Sequence, residues 1–372
     1  MLDFEEFKKE VADNIKDFLP PEYEDASVST KQVVKNNDVE LTSLNIYREG
    51  ETLTPTIYLE NFYEAYSDQG DIDGVMEKLA DMFLAASEDK DYDIGKLTSF
   101  DAAKDSIYPK LVNMEMNREA LADMPHTQMD DLAVTYSVML NEDERGRASV
   151  AISNEMMEMY GVTKEELHSI AVENMEQLSP GKFLPFRDMV ADTLINDMTE
   201  LMGGDREAAS AMVNEMLGET PDMYVITNEQ GINGAASVLD ETLMQKVTET
   251  VGEDFVILPS SVHECIVVPA DCDMDIEEMK DMVKCVNADA VKPQERLSDN
   301  VYCYDSQAHE LVRAEKMEER KMERAAEKDM GDTNNVQEEK SSLSDRIAGK
   351  KKQIDEKHEP KKAHDKNKDT SL

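Results

Sequence analysis

The chain has 372 residues, with 39 basic and 82 acidic side chains and a formal net charge of −43. Residues 306–372 hold 16 basic and 16 acidic side chains, so the other 23 basic and 66 acidic ones place the entire excess on residues 1–305. Such a body repels nucleic acid and anionic lipid, whose partners bind phosphate through Lys and Arg, while 40% hydrophobic residues are enough for a sizeable core.

In chain order, Phe4, Phe7, Val11, Ile15 and Phe18 recur at helical spacing and predict an amphipathic helix that stops at Pro20-Pro21. Residues 28–35 and 39–48 alternate apolar with polar around Asn36-Asn37-Asp38, the pattern of a hairpin. A short strand at 57–59 leads into residues 60–66, and residues 72–86 form a second amphipathic helix. Strands are expected at 107–116, 132–140 and 147–152, with a connecting stretch around Asn117, Pro125 and His126. Helices follow at 153–160 and 163–175, the latter opening on a Thr163…Glu166 capping box.

Two helices at 183–202 and 206–217, broken by Gly203-Gly204, precede a strand at 223–227 and a small-residue turn at 231–236. A helix at 238–251, strands at 255–258 and 265–268, a helix at 276–287 and a strand at 300–304 complete the body. The fold class this order predicts is α+β, with mixed, mainly antiparallel sheet segments and packed helices. The domain reading is an acidic α+β body over 1–305, with a possible subdomain boundary near 115–180. A charged solvated helix at 306–330 follows, then a disordered tail at 331–372. Pairs such as Lys316 with Glu319 support that helix. Its apolar residues are too sparse for a heptad seam, which leaves a coiled-coil role to a partner helix.

Chemistry-bearing motifs are few. Cys265, Cys272, Cys285 and Cys303 form no Cys-x-x-Cys pair, so they are expected as reduced thiols, with no metal and no cofactor. Asp271, Asp273 and Asp275, and likewise Asp68, Asp71 and Asp73, fail as calcium loops, because the terminal glutamate is missing. They read as caps of the helices that follow. The Gly231–Gly234 turn lacks the third glycine of a dinucleotide fingerprint. The densest chemistry is Ser260-Ser261-Val262-His263-Glu264. A hydroxyl near an imidazole and a carboxylate is the composition of an activated nucleophile, so Ser260, Ser261, His263 and Glu264 are the candidate catalytic residues of a hydrolase-like site. The alternative is a polar turn whose hydroxyls bond local backbone.

Several runs together resemble a known but uncharacterised domain family. They are Pro55–Glu60, Asp131-Leu132-Ala133-Val134, Asn228 through Ala236, Leu258–Glu264 and Leu297–Tyr304. The resemblance covers most of the body, excludes the tail, and is associated with gut Clostridia and neighbouring mobile elements. It implies no activity, ligand or catalytic residue. The expected function is therefore a non-catalytic accessory protein acting through protein contacts. An enzyme at the serine-rich turn and an acidic DNA mimic facing a basic partner are the alternatives. The start lacks a basic and apolar leader, and no run approaches ~18 apolar residues, so a cytoplasmic chain without membrane contact is expected. The partner is an unknown protein, and the body is not expected to bind nucleic acid directly.

Overall fold

In a computed structural model the described residues are 1–331, except 52–53, 88–91, 144–145, 219–221, 253–254, 270–271 and 273. The expected disorder of the tail falls on residues outside this set. Two compact units are present, Met1–Arg313 and Ala314–Leu372. The second contributes helix α13, Ala314–Gly331.

Within the first unit, α1 (Phe4–Asn14) is fixed at its start by a capping box, in which the Asp3 side chain accepts from the Glu6 N–H and the Glu6 side chain accepts from the Asp3 N–H. Its stripe Phe7, Val11 and the following Ile15 is fully buried. Strands β1 (Ser27–Val34) and β2 (Glu40–Tyr47) pair antiparallel from Ser27↔Tyr47 to Val34↔Glu40, and β3 (Ile57–Tyr58) adds to β2. The turn that reverses the chain places Asn37 and Asp38 at positive φ, a conformation short polar residues tolerate. Helices α2 (Glu60–Gln69) and α3 (Ile72–Ser87) close this layer, burying Tyr66, Val75, Met76, Leu79 and Phe83 against α1 and the sheet.

A second, larger core begins at α4 (Phe100–Ala103). Strand β4 (Ile107–Asn113) pairs with β6 (Leu132–Asp143), which also takes β5 (His126–Met129) and β7 (Gly146–Ala151) in an antiparallel four-stranded sheet. The stretch read as a plain connection holds α5 (Arg118–Ala122) as well as β5. Four polar-rich residues, His126-Thr127-Gln128-Met129, have no apolar alternation, and they become a strand because β6 offers them a pairing edge. Helices α6 (Asn154–Tyr160), α7 (Lys164–Glu173) and α8 (Met175–Leu178) cover the sheet, with the Thr163–Glu166 capping box in place.

The third sheet has six strands in the order β13-β12-β10-β11-β9-β8, and every adjacent pair is antiparallel. Its members are β8 (Gly181–Pro185), β9 (Tyr224–Asn228), β10 (Phe255–Leu258), β11 (Cys265–Pro269), β12 (Tyr302–Asp305) and β13 (Glu310–Arg313). Between them run α9 (Phe186–Leu201), α10 (Arg206–Leu217), α11 (Glu241–Val251) and α12 (Ile276–Asp289). The fold is α+β, as the element order predicts.

Two boundaries differ from the sequence reading. Phe183 lies in β8, because Pro185 blocks helix on its N-terminal side and the helix starts only after it. Residues 310–313, read as the start of the charged helix, are instead strand β13: Leu311 and Val312 are buried opposite β12, and α13 begins at Ala314. The buried residues of the first unit form two hydrophobic clusters, one running from Phe7 to Phe83 and the other from Ala103 to Leu311. Among the described residues no helix is long and apolar enough to cross a membrane.

Candidate functional site

The serine-rich turn connects β10 to β11. Pro259 and Ser261 are buried there, and Ser260, His263 and Glu264 are partly exposed. Both hydroxyls donate to one acceptor, Glu264 Oε1, at 3.3 Å each from Ser260 Oγ and Ser261 Oγ. Ser261 Oγ in turn accepts the His263 backbone N–H at 3.0 Å, and the Ser261 N–H donates to the Glu264 carbonyl at 3.2 Å. The turn is thus tied to itself.

The His263 ring points the other way. Its Nδ1 accepts the Asn233 backbone N–H at 3.1 Å, which leaves the neutral ring's proton on Nε2. A nucleophile needs its hydroxyl on the imidazole. Here the hydroxyls bond the carboxylate and the imidazole bonds backbone, so the four residues are neighbours without a hydroxyl–imidazole pair.

What the turn does hold is the Gly231–Ala236 segment. Thr227 Oγ1 donates to the His263 carbonyl at 2.9 Å and the Ala235 N–H donates to the Val262 carbonyl at 3.2 Å. Gly234 lies between them so closely that a Cβ there would stand 2.4 Å from Thr227 Oγ1, 2.5 Å from His263 O and 2.7 Å from Asn228 N. The glycine is required by close backbone approach, and the small residues that hint at a phosphate cradle are packing.

A second pair of motif segments meets at the β5–β6 turn. Asp131 Oδ1 accepts from Tyr302 Oη at 2.8 Å, and Asp131 Oδ2 accepts from Asn300 Nδ2 at 2.8 Å and Ser298 Oγ at 3.4 Å. Its neighbour Asp130, at φ +55°, accepts from the Arg313 backbone N–H and from Nε, at 3.1 and 3.0 Å. Burial, with the Asp131 charge beside it, holds the Tyr302 phenol well above its usual range, so it stays a donor.

One constellation has no sequence signature. Thr127 Oγ1 lies 2.6 Å from Tyr136 Oη, which lies 3.1 Å from His168 Nδ1, forming a line from β5 through β6 to α7. Burial pushes Tyr136 up to about 12 and pulls His168 down, with Lys164 adding to the latter. At neutral pH the ring is uncharged and shares one hydrogen bond with the phenol. No local spacing could reveal three residues from three separate elements.

Asp275 caps α12 through a full capping box with Glu278, and Asp71 Oδ1 accepts the Gly74 N–H at 3.1 Å, so both act at helix starts. Asp271 and Asp273 lie outside the described residues. None of the four cysteines forms a disulfide. Among the described residues no group of three or more His, Cys, Asp or Glu is placed to hold a metal ion.

No curated protein and no solved structure matches the chain. A family model does match, over residues 4–306, and that interval contains every motif segment whose contacts are described above. The chain belongs to the family of unknown function DUF5688.

Proposed function

We propose that the protein is a non-catalytic accessory protein of the cytoplasm that works by binding other proteins. The observation that carries this reading is the α9–α10 hairpin. Its two helices bury only Ile195, Ala209 and Val213, while Leu201, Met212 and Met216 are 81%, 53% and 63% exposed. Methionine on a surface adapts its shape to apolar partners, and Met212 and Met216 stand one turn apart on the same face of α10. Further support comes from the motif residues, whose polar groups bond one another inside the fold. The acidic body favours protein partners over nucleic acid. A setting in gut Clostridia near mobile elements, implied by the sequence resemblance, fits an accessory or host-interaction role.

Affinity capture with the full chain from a native host, repeated with Met212→Glu/Met216→Glu, tests this. The expected result is a stoichiometric partner that the double variant loses while its unfolding midpoint is unchanged. A partner set identical for both proteins removes the hairpin from the interaction. Capture of no partner by either protein overturns the reading.

A further inference from the structure

A cavity of about 270 Å³ opens between α11 and the β12–β13 hairpin, away from the turns described above. It is lined on one side by Glu241, Thr242, Gln245 and Thr248, the polar face of α11 opposite its buried Leu243, Met244 and Val247. Tyr304, Ser306 and His309 line the other side. The hairpin turn is held by Asp305, fully buried, whose Oδ1 accepts the Gln307 and Ala308 N–H groups at 3.1 and 3.3 Å. It carries His309 at φ +54°, a left-handed backbone that non-glycine residues adopt at a cost. That conformation sets the His309 Nδ1 3.4 Å from Tyr304 Oη. The Tyr304 ring is itself stacked on Phe255, with centroids 6.2 Å apart.

The chemistry of the lining is specific in sign. Hydroxyls, an amide, a phenol and an imidazole supply hydrogen-bonding groups all round, and Glu241 supplies the formal charge. Among the described lining residues there is no lysine or arginine. The positive end of α11 is already answered by Asp240, whose side chain accepts the Leu243 N–H, and by Glu241 itself. Burial, with Glu241 and Asp305 adding to it, raises Tyr304, so its phenol stays a donor. The volume is just below the range of drug-sized pockets and suits a single sugar-sized ring or a short chain.

We propose that this cavity binds a small hydroxylated amine, such as an amino sugar or amino alcohol. Its ammonium pairs with Glu241, and its hydroxyls bond Gln245, Thr248, Ser306 and His309. The site is independent of the α9–α10 hairpin and of the protein-binding reading.

Isothermal titration of the full chain with glucosamine and with ethanolamine, at physiological salt, tests the assignment. Glucose is the uncharged comparator. Expected are saturable one-to-one binding of at least one amine and binding of glucose weaker by about tenfold or more, the loss of one charge-assisted hydrogen bond. Glu241→Gln lowers amine affinity by a similar factor. Gln245→Trp, on an exposed helix position, fills the cavity and abolishes binding. Glu200→Gln on α9 leaves binding unchanged. Circular dichroism of each variant confirms the fold, and two independent variants keep the test decisive if one misfolds. Absence of binding by both amines overturns the proposal. So does binding that falls equally with Glu200→Gln, which would assign it to the general acidic surface.

Discussion

The Tyr302 phenol donates to Asp131 Oδ1 at 2.8 Å across 171 residues of chain, and so joins the first strand residue of β12 to the turn that opens β6. These strands belong to different sheets, the six-stranded and the four-stranded one. The same phenol lies 2.8 Å from Ser298 Oγ, and Asp131 also takes Asn300. Tyr302 is 1% exposed and Ser298 is fully buried, so little water is available to replace a lost partner. Tyr302→Phe removes a donor and keeps the ring, and is expected to cost about 1–2 kcal/mol. Asp131→Ala leaves the buried phenol without its charged acceptor and is expected to cost about 2–3 kcal/mol. Urea unfolding gives both values, with an unchanged m-value identifying a native-state effect. If the double variant loses the full sum of the single losses, the two side chains are not coupled and the bond does not join the sheets.

Gly234→Ala tests a different kind of contact. The added Cβ meets His263 O at 2.5 Å and Asn228 N at 2.7 Å, both backbone atoms that cannot rotate away. The expected loss is about 1–3 kcal/mol from overpacking. Thr227→Ala removes the third obstacle, Thr227 Oγ1, yet rescues the variant only in part, because the two backbone contacts remain. Gly161→Ala is the control. That glycine caps α6 at φ +70° with nothing within 4 Å, so its cost of about 1 kcal/mol is backbone strain, which no neighbouring substitution relieves. Complete rescue of Gly234→Ala by Thr227→Ala would mean that the backbone approach is not what demands glycine.

Elements whose signal is local were legible in the sequence. The Phe7, Val11 and Ile15 stripe, the Asn36–Asp38 hairpin and the Thr163–Glu166 box each depend on residues within a few positions of one another. Strand β5 was not legible, since its residues become a strand only by pairing with β6. Strand β13 looked helical because Glu, Arg and Lys suit helices, but burial of Leu311 and Val312 overrides propensity. The polar groups of Ser260–Glu264 were visible as a cluster, whereas their directions were not. Asn233 turns the His263 ring away from the serines, and that contact spans 30 residues. For the same reason the Thr127–Tyr136–His168 line left no trace in composition or spacing.

The cysteines divide by environment. Cys265 is 1% exposed in β11, and burial, with Glu264 beside it, pushes its thiol up to about 12. Cys285 on α12 is exposed, its Sγ 3.6 Å from Asp289 Oδ2. Thiolate is the reactive form, so a disulfide reagent at pH ~8 is expected to label Cys285 within minutes and to spare Cys265 until the chain unfolds. Peptide mass spectrometry after native and denatured labelling reads this directly. Equal native labelling of both would show that β11 opens on the labelling timescale. Because the folded thiol holds its proton more tightly than the unfolded one, Cys265 also makes the fold less stable as pH rises above the ordinary thiol range.

His168 sets a pH dependence on the acid side. Burial, with Lys164 one turn earlier on α7, lowers its affinity for a proton, and its Nδ1 lies in hydrogen-bond contact with Tyr136 Oη at 3.1 Å. Below the ordinary histidine value of about 6.5 the unfolded chain therefore takes up more protons than the folded one. Stability contributed by the neutral ring is present above that pH and is lost as pH falls through it toward the folded value. Urea midpoints at pH ~7.5 and ~5.5 should fall for the native sequence. His168→Gln keeps a side chain able to hydrogen-bond Tyr136 but does not titrate, so its midpoint should fall less over the same interval. The carboxylates that bond to neighbours in the fold, such as Glu51 with Arg48 and Glu166 with Thr163, are held low and lose their contribution only at more acidic pH. That separation confines the His168 effect to the upper interval. Identical slopes for the two proteins between pH ~7.5 and ~5.5 would mean that the imidazole does not control acid stability.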